Sequence, residues 1–184
     1  MSYELQALIG PAELVAVAAA EVPAARPRPL GQGLALIPAT PEFLAAFRRG
    51  DETPAGPAVP ATAVSSGGTS GASGTSGASG FDWFPDGLER RLAAWSKAGP
   101  IACVEADYFG GTGTQRAAVW ADGRLDLGPI TSAELEPFPP EGSPISRVLR
   151  RLGARVTEGG DVRDEFDAVG LGAHRATASW ASAV

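Results

Sequence analysis

Glu105 and Asp107 stand two residues apart in a strand-forming run at 101–109, and alternation in an extended chain places both carboxylates on one face. A pair of carboxylates can carry general acid/base chemistry or hold a hard cation. The plainer use of the same residues is an ion pair, with Asp107 across the strand from Arg116 and Glu105 solvated or bonded to a backbone donor. The balance favours that plainer use. An enzyme of small hydrolase type would need Glu105, Asp107 and His174, the one histidine, to converge in a concave pocket.

Other catalytic sets fail on composition. The one cysteine, Cys103, is some seventy residues from the one histidine, and nothing local would lower its thiol pKa. A small buried cysteine is the reading. One Cys and one His leave zinc without a ligand cluster, and no G-x-S-x-G elbow occurs. The turn Gly110-Gly111-Thr112-Gly113 is followed by a strand, whereas a phosphate loop needs a helix there. The sequence therefore names no catalytic residue, no metal site and no cofactor. Arg147, Arg150, Arg151 and Arg155 form a basic stripe on a helix, read as a solvated face near the acidic run Glu158, Asp161, Asp164, Glu165 and Asp167. That run lacks a calcium-loop pattern, and it could be offered to a basic protein.

The elements that must position these residues centre on 100–129, read as a three-stranded antiparallel meander. A four-residue loop at 110–113 would set Asp107 opposite Arg116 and Val104 opposite Val119. Alternation gives an apolar face of Val104, Ala106, Tyr108, Ala117 and Val119, and an opposite face of Cys103, Glu105, Asp107, Arg116 and Trp120. A three-residue second reversal with Gly123 in a bulge pairs Val119 with Leu125 and Ala117 with Leu127, keeping the apolar residues on one side. Trp120 then faces Arg124 for a cation–π contact.

Around the meander, residues 3–9 alternate as a half-buried strand, and Pro11 opens a helix to about Glu21. The prolines of 25–33 exclude an interior strand. Residues 33–38 form a short buried strand, and Thr40-Pro41 caps a helix at 41–48. Residues 50–80, Pro/Ala-rich and then carrying two GTSGAS repeats, read as a flexible insertion within a single domain spanning 1–184. Phe81, Trp83 and Phe84 anchor the returning chain. Asp86 and Glu89 suggest a capping box for a helix to about Ala98. Ser143-Pro144 starts a helix burying Ile145, Val148, Leu149 and Leu152. Asp161 or Asp164 caps a short helix around Phe166 and Val169, and Trp180 packs the tail onto the body.

At 184 residues and a net charge of −6, the chain is long enough for a real core and too acidic for non-specific nucleic-acid binding. No signal segment is evident, no run reaches the ~20 apolar residues of a membrane span, and the cysteine count suits a reducing compartment. The expectation is a cytoplasmic protein that binds neither nucleic acid nor membrane.

Two segments, VEADYFGGTGTQRAAVWADGRL at 104–125 and DEFDAVGLGAHRATASW at 164–180, resemble small uncharacterised α+β proteins of high-GC actinobacterial genomes. Those share a YFGG-x-G-x-Q-x-A-x-VW hairpin and a DEFD-x-x-G-L-x-x-HR ending. The resemblance covers about half the chain and carries no catalytic residue across. Small acidic α+β proteins of this kind are similar to immunity proteins, which neutralise a toxin by binding it. The expected fold is α+β, a mainly antiparallel sheet of about five strands with helices mostly on one face. The expected function is a non-enzymatic protein-binding module, immunity-like, whose partner is a protein of basic character. Its binding surface would be Glu105, Asp107, Arg116, Trp120 and Arg124, with Trp120 as an exposed hot spot.

Overall fold

The computed structural model describes residues 2–48, 80, 81, 83–157 and 162–183. The expected insertion at 50–80 lies outside the described residues but for Gly80, as do Glu158 and Asp161 of the acidic run.

The fold is α+β, and the sheet has six strands rather than five. They are β1 (Ser2–Pro11), β2 (Arg28–Pro29), β3 (Leu34–Pro38), β4 (Ile101–Phe109), β5 (Thr112–Ala121) and β6 (Arg124–Ser132). Their order is β2-β3-β1-β4-β5-β6, antiparallel throughout. The central strand β1 is the one whose alternation is plainest in the sequence, and it is buried over most of its second half. The proline-rich stretch contributes only the two-residue edge strand β2, which is where a residue without an N–H donor is tolerated.

Helices cover both faces, not one. Against one face pack α1 (Ala12–Glu21), α2 (Pro41–Arg48) and α3 (Asp86–Trp95). Their Leu14, Val15, Phe43, Phe47, Leu88 and Leu92 meet Leu8, Ile37, Cys103 and Trp120 of the strands. Against the other pack α4 (Pro144–Arg151), α5 (Glu165–Val169) and α6 (Thr177–Ser182). Ile145, Val148, Leu149 and Trp180 there meet Leu5, Ile9, Val104 and Val119. Strands buried on both sides explain why β1 and β4 are nearly continuous apolar runs at 7–9 and 101–104.

The caps follow sequence chemistry closely. Ser143 accepts from the Ser146 N–H at the start of α4, and Asp164 accepts from the Asp167 N–H at the start of α5. The Thr40 hydroxyl accepts from the Phe43 N–H at 3.3 Å. The box expected from Asp86 does not form, because Asp86 is already inside α3 and Pro85 takes the cap position without a side-chain bond. Pro11 likewise ends β1 and caps α1 instead of opening it.

Both hairpins of the meander are tighter than expected. The first closes on Gly110 and Gly111, with φ of 62° and 92°, so Phe109 pairs with Thr112 and Val104 with Ala117. Two positive-φ residues make the turn whose twist matches that of the flanking strands. The second closes on Asp122 and Gly123, also both at positive φ, so Trp120 pairs with Leu125. Irregularities farther along then bring Val119 opposite Leu127 and Ala117 opposite Ile130. Val104 and Val119 share a face as expected. Leu125 does not join them, since it sits opposite Trp120 of the other face and is 38% exposed.

Candidate functional site

The tight first turn shifts the register by two residues, and this decides which ions meet. Glu105, not Asp107, lies opposite Arg116, while Asp107 lies opposite Thr114. A shift of two preserves the face of every side chain, so Glu105, Asp107 and Arg116 remain together. On its other side β4 pairs with β1, setting Gln6 beside Glu105 and Glu4 beside Asp107. Thr131 of β6 lies beside Arg116. Two polar rows thus cross the sheet: Gln6–Glu105–Arg116–Thr131, and Glu4–Asp107–Thr114.

These rows occupy one end of the face that carries α1–α3. Farther along the same strands, Cys103, Ala118 and Trp120 are under the helices. The carboxylate of Glu105 approaches the Arg116 guanidinium at 3.6 Å, with each side chain about a quarter exposed. Its other oxygen accepts from the Gln6 amide at 3.5 Å. The Arg116 guanidinium also lies over the Phe81 ring, 5.8 Å from its centroid, so the aromatic anchor braces the ion pair. Asp107 and Thr114 are exposed. Between the rows and the end of β6 lies a recess of about 350 Å³ lined by Glu105, Asp107, Thr114, Arg116, Thr131 and Ser132.

Two of the expected surface residues are elsewhere. Trp120 is 2% exposed and stacked on Phe84 at 5.8 Å with rings 11° apart. Arg124, its supposed cation–π partner, pairs instead with Ala121. It lies five residues of β5 beyond Arg116, roughly 17 Å along the strand. The cause is the covering of both faces: an indole on a face packed by helices is core, not a hot spot.

The acid pair and His174 are not brought together. Glu105 and Asp107 project on the α1–α3 face of β4. His174 rests edge-on against Trp180, centroids 4.6 Å apart, and Trp180 belongs to the core on the opposite face. The backbone beside His174 pairs with β1, Arg175 accepting from the Glu4 N–H at 2.8 Å, so β1 stands between it and β4. Cys103 is buried, and burial pushes its thiol well above the usual range, which suppresses the thiolate a nucleophile needs.

Three of the four arginines of the basic stripe are engaged in bonds. Arg150 meets Glu165 at 2.8 Å and Arg151 meets Asp126 at 2.8 Å. Arg155 donates to the carbonyls of Arg150 and Ala154.

Glu4 and Gln6 were legible as the polar half of β1's alternation, but only a non-local pairing tells that they border Glu105 and Asp107. No helix among the described residues is long and apolar enough to cross a membrane. Comparison with protein-family models, with curated proteins and with solved structures finds no match to this chain.

Proposed function

We propose that this chain is a protein-binding module that docks its partner on the uncovered polar end of the sheet, through Glu105, Asp107 and Arg116 with Glu4, Gln6 and Thr114 beside them. The supporting observation is the uneven cover of one face. Helices and the Phe81–Trp83–Phe84 aromatics bury its upper rows, while Glu105, Asp107, Thr114, Arg116 and Thr131 of its last two rows line the recess. Groups held on a six-stranded sheet lose little freedom on docking, and rigidity of that kind favours binding. Among the described residues of the two rows, three carboxylates, Glu4, Glu105 and Asp107, stand with one guanidinium, and the chain carries −6 overall. A partner presenting basic groups fits this balance. The immunity-like resemblance points the same way, toward neutralisation of a partner by binding.

The test is capture of partners from a native-source lysate by the wild-type chain, by Asp107→Lys and by Glu105→Gln, with Arg151→Ala as a control on the far face. The proposal expects a protein held by wild type and by the control to fall at least tenfold with Asp107→Lys and severalfold with Glu105→Gln. Asp107 is exposed, so its substitution leaves thermal unfolding unchanged. Equal capture by all four chains would remove this surface from consideration.

A further inference from the structure

The same end of the sheet has a second concavity on its opposite face, because the residues alternating with the polar rows are aromatic. Tyr3 lies across from Tyr108, and a pocket of about 350 Å³ is walled by these two rings with Phe138 and Phe166, over a floor of Ala106 and Gln115. Tyr3 and Phe166 meet edge to face at 5.5 Å. Opposite Tyr108 stands Gly113, where a Cβ would come within 2.7 Å of the tyrosine's Cγ. A side chain at 113 would meet the Asp107 carbonyl and the Tyr108 backbone as well as that ring, so the position requires a glycine. Small-molecule sites are of this kind, mainly apolar with a few fixed polar groups, and the volume lies at the low end of their range.

Which polar groups remain for a ligand follows from those already engaged. Asp164 takes the Asp167 N–H on one oxygen and the Ser146 hydroxyl on the other. Ser143 is bonded to Ser146. The Tyr3 hydroxyl donates to the Leu171 carbonyl at 3.1 Å. Gln115 accepts the Ile145 N–H through Oε1, and it lines the pocket beside the Tyr108 phenol. Burial raises that phenol's pKa, and the bond from Gln115 partly offsets the rise. Among the described residues no acceptor is bonded to the Tyr108 O–H, which is left to donate to an occupant. Arg175 lines the same pocket, and among the described residues no carboxylate is bonded to its guanidinium. Of the two charged groups in the lining, Asp164 already accepts a bond on each oxygen, whereas Arg175 has no carboxylate partner among the described residues, so the cation is the charge left for an occupant.

We propose that this pocket binds a small aromatic carboxylate, one or two fused rings between the aromatic walls and the carboxylate on Arg175 and the Tyr108 hydroxyl. The site is separate from the docking surface, and neither depends on the other.

The test is isothermal titration and ligand-observed saturation-transfer NMR with four probes: phenylacetate, indole-3-acetate, neutral indole and phenethylammonium. The two carboxylates should bind at least tenfold more tightly than indole or the ammonium. Arg175→Gln, at an exposed position, should keep the wild-type melting temperature and reduce carboxylate binding at least tenfold. Tyr108→Phe should reduce it severalfold. Three results would each overturn the proposal: no probe bound at millimolar concentration, phenethylammonium bound best, or carboxylates bound undiminished by Arg175→Gln. Preference for the ammonium would show Asp164 to be the recognising charge.

Discussion

Trp120 shows how a single side chain changes meaning with its cover. Its ring is sandwiched into the α1–α3 core and stacked on Phe84, so Trp120→Ala removes a large buried ring and leaves a void. Such truncations cost about 3–5 kcal/mol. Asp107, on the neighbouring strand and in the open rows, is exposed, and its alanine variant should stay within about 0.5 kcal/mol of wild type. Urea unfolding of both variants distinguishes a core indole from a surface one, since an exposed hot spot would leave both midpoints near wild type. From sequence, alternation gave Trp120 its face correctly. What alternation cannot say is whether that face is covered, because cover comes from α1–α3, elements remote in the chain from β5.

The acidic run and the basic stripe meet at the contact of α4 with α5. Arg150 on α4 bonds Glu165 in the first turn of α5, and Glu165 is 6% exposed. The hydrogen bond from Arg150 holds the Glu165 carboxyl below the usual range, against the opposing effect of burial. A depressed carboxyl binds its proton less readily folded than unfolded, so its stabilisation is present above the ordinary glutamate value of about 4.3 and is lost as pH falls through the folded value. Glu165→Gln should therefore cost about 1–2 kcal/mol at neutral pH. That is less than the ~3–5 kcal/mol for breaking a fully buried pair, since Arg150 is half exposed and can be resolvated. As pH falls through the depressed folded value the two chains should converge, because the wild-type carboxyl is then protonated too. A gap that stayed unchanged across the whole acid range would mean the loss is one of packing and not of charge. At this scale the sequence was most readable where the signal is local. Ser143 and Asp164 cap as their types dictate, and the apolar stripes of α2, α3 and α4 are the buried ones. The register of the first hairpin was not readable, because a two-residue and a four-residue closure of Gly110–Gly113 give identical faces and differ only in partners, while in the second the apolar pattern favoured a three-residue loop where the chain makes a two-residue turn and shifts register farther along. The hydrophobic pattern chooses faces and is silent on that choice. The short α6 was missed for a related reason: Thr177–Ser182 has little helical stripe of its own, and the Thr177 hydroxyl is instead fixed by the Gln6 N–H of β1 at 2.9 Å.

The two cores share the same strands, and this bears on how the molecule unfolds. Leu8 faces α1–α3 and Ile9 faces α4–α6 from adjacent positions in β1, so neither core can be lost while the other keeps an intact sheet. The described elements should then melt as one cooperative unit. The tryptophans permit a direct measurement, since Trp83, Trp95 and Trp120 belong to the first core and Trp180 to the second. In a Trp180→Phe background, fluorescence reports the α1–α3 side alone. Leu149→Ala then truncates a fully buried side chain on the far side of the sheet, at a cost of about 2–5 kcal/mol. If the sheet couples the cores, that substitution lowers the urea midpoint read by fluorescence as much as the one read by far-UV circular dichroism. A fluorescence midpoint that stayed put while the circular dichroism midpoint fell would show two independently melting layers, and the polar rows would then be a surface that rearranges as the α4–α6 layer comes and goes.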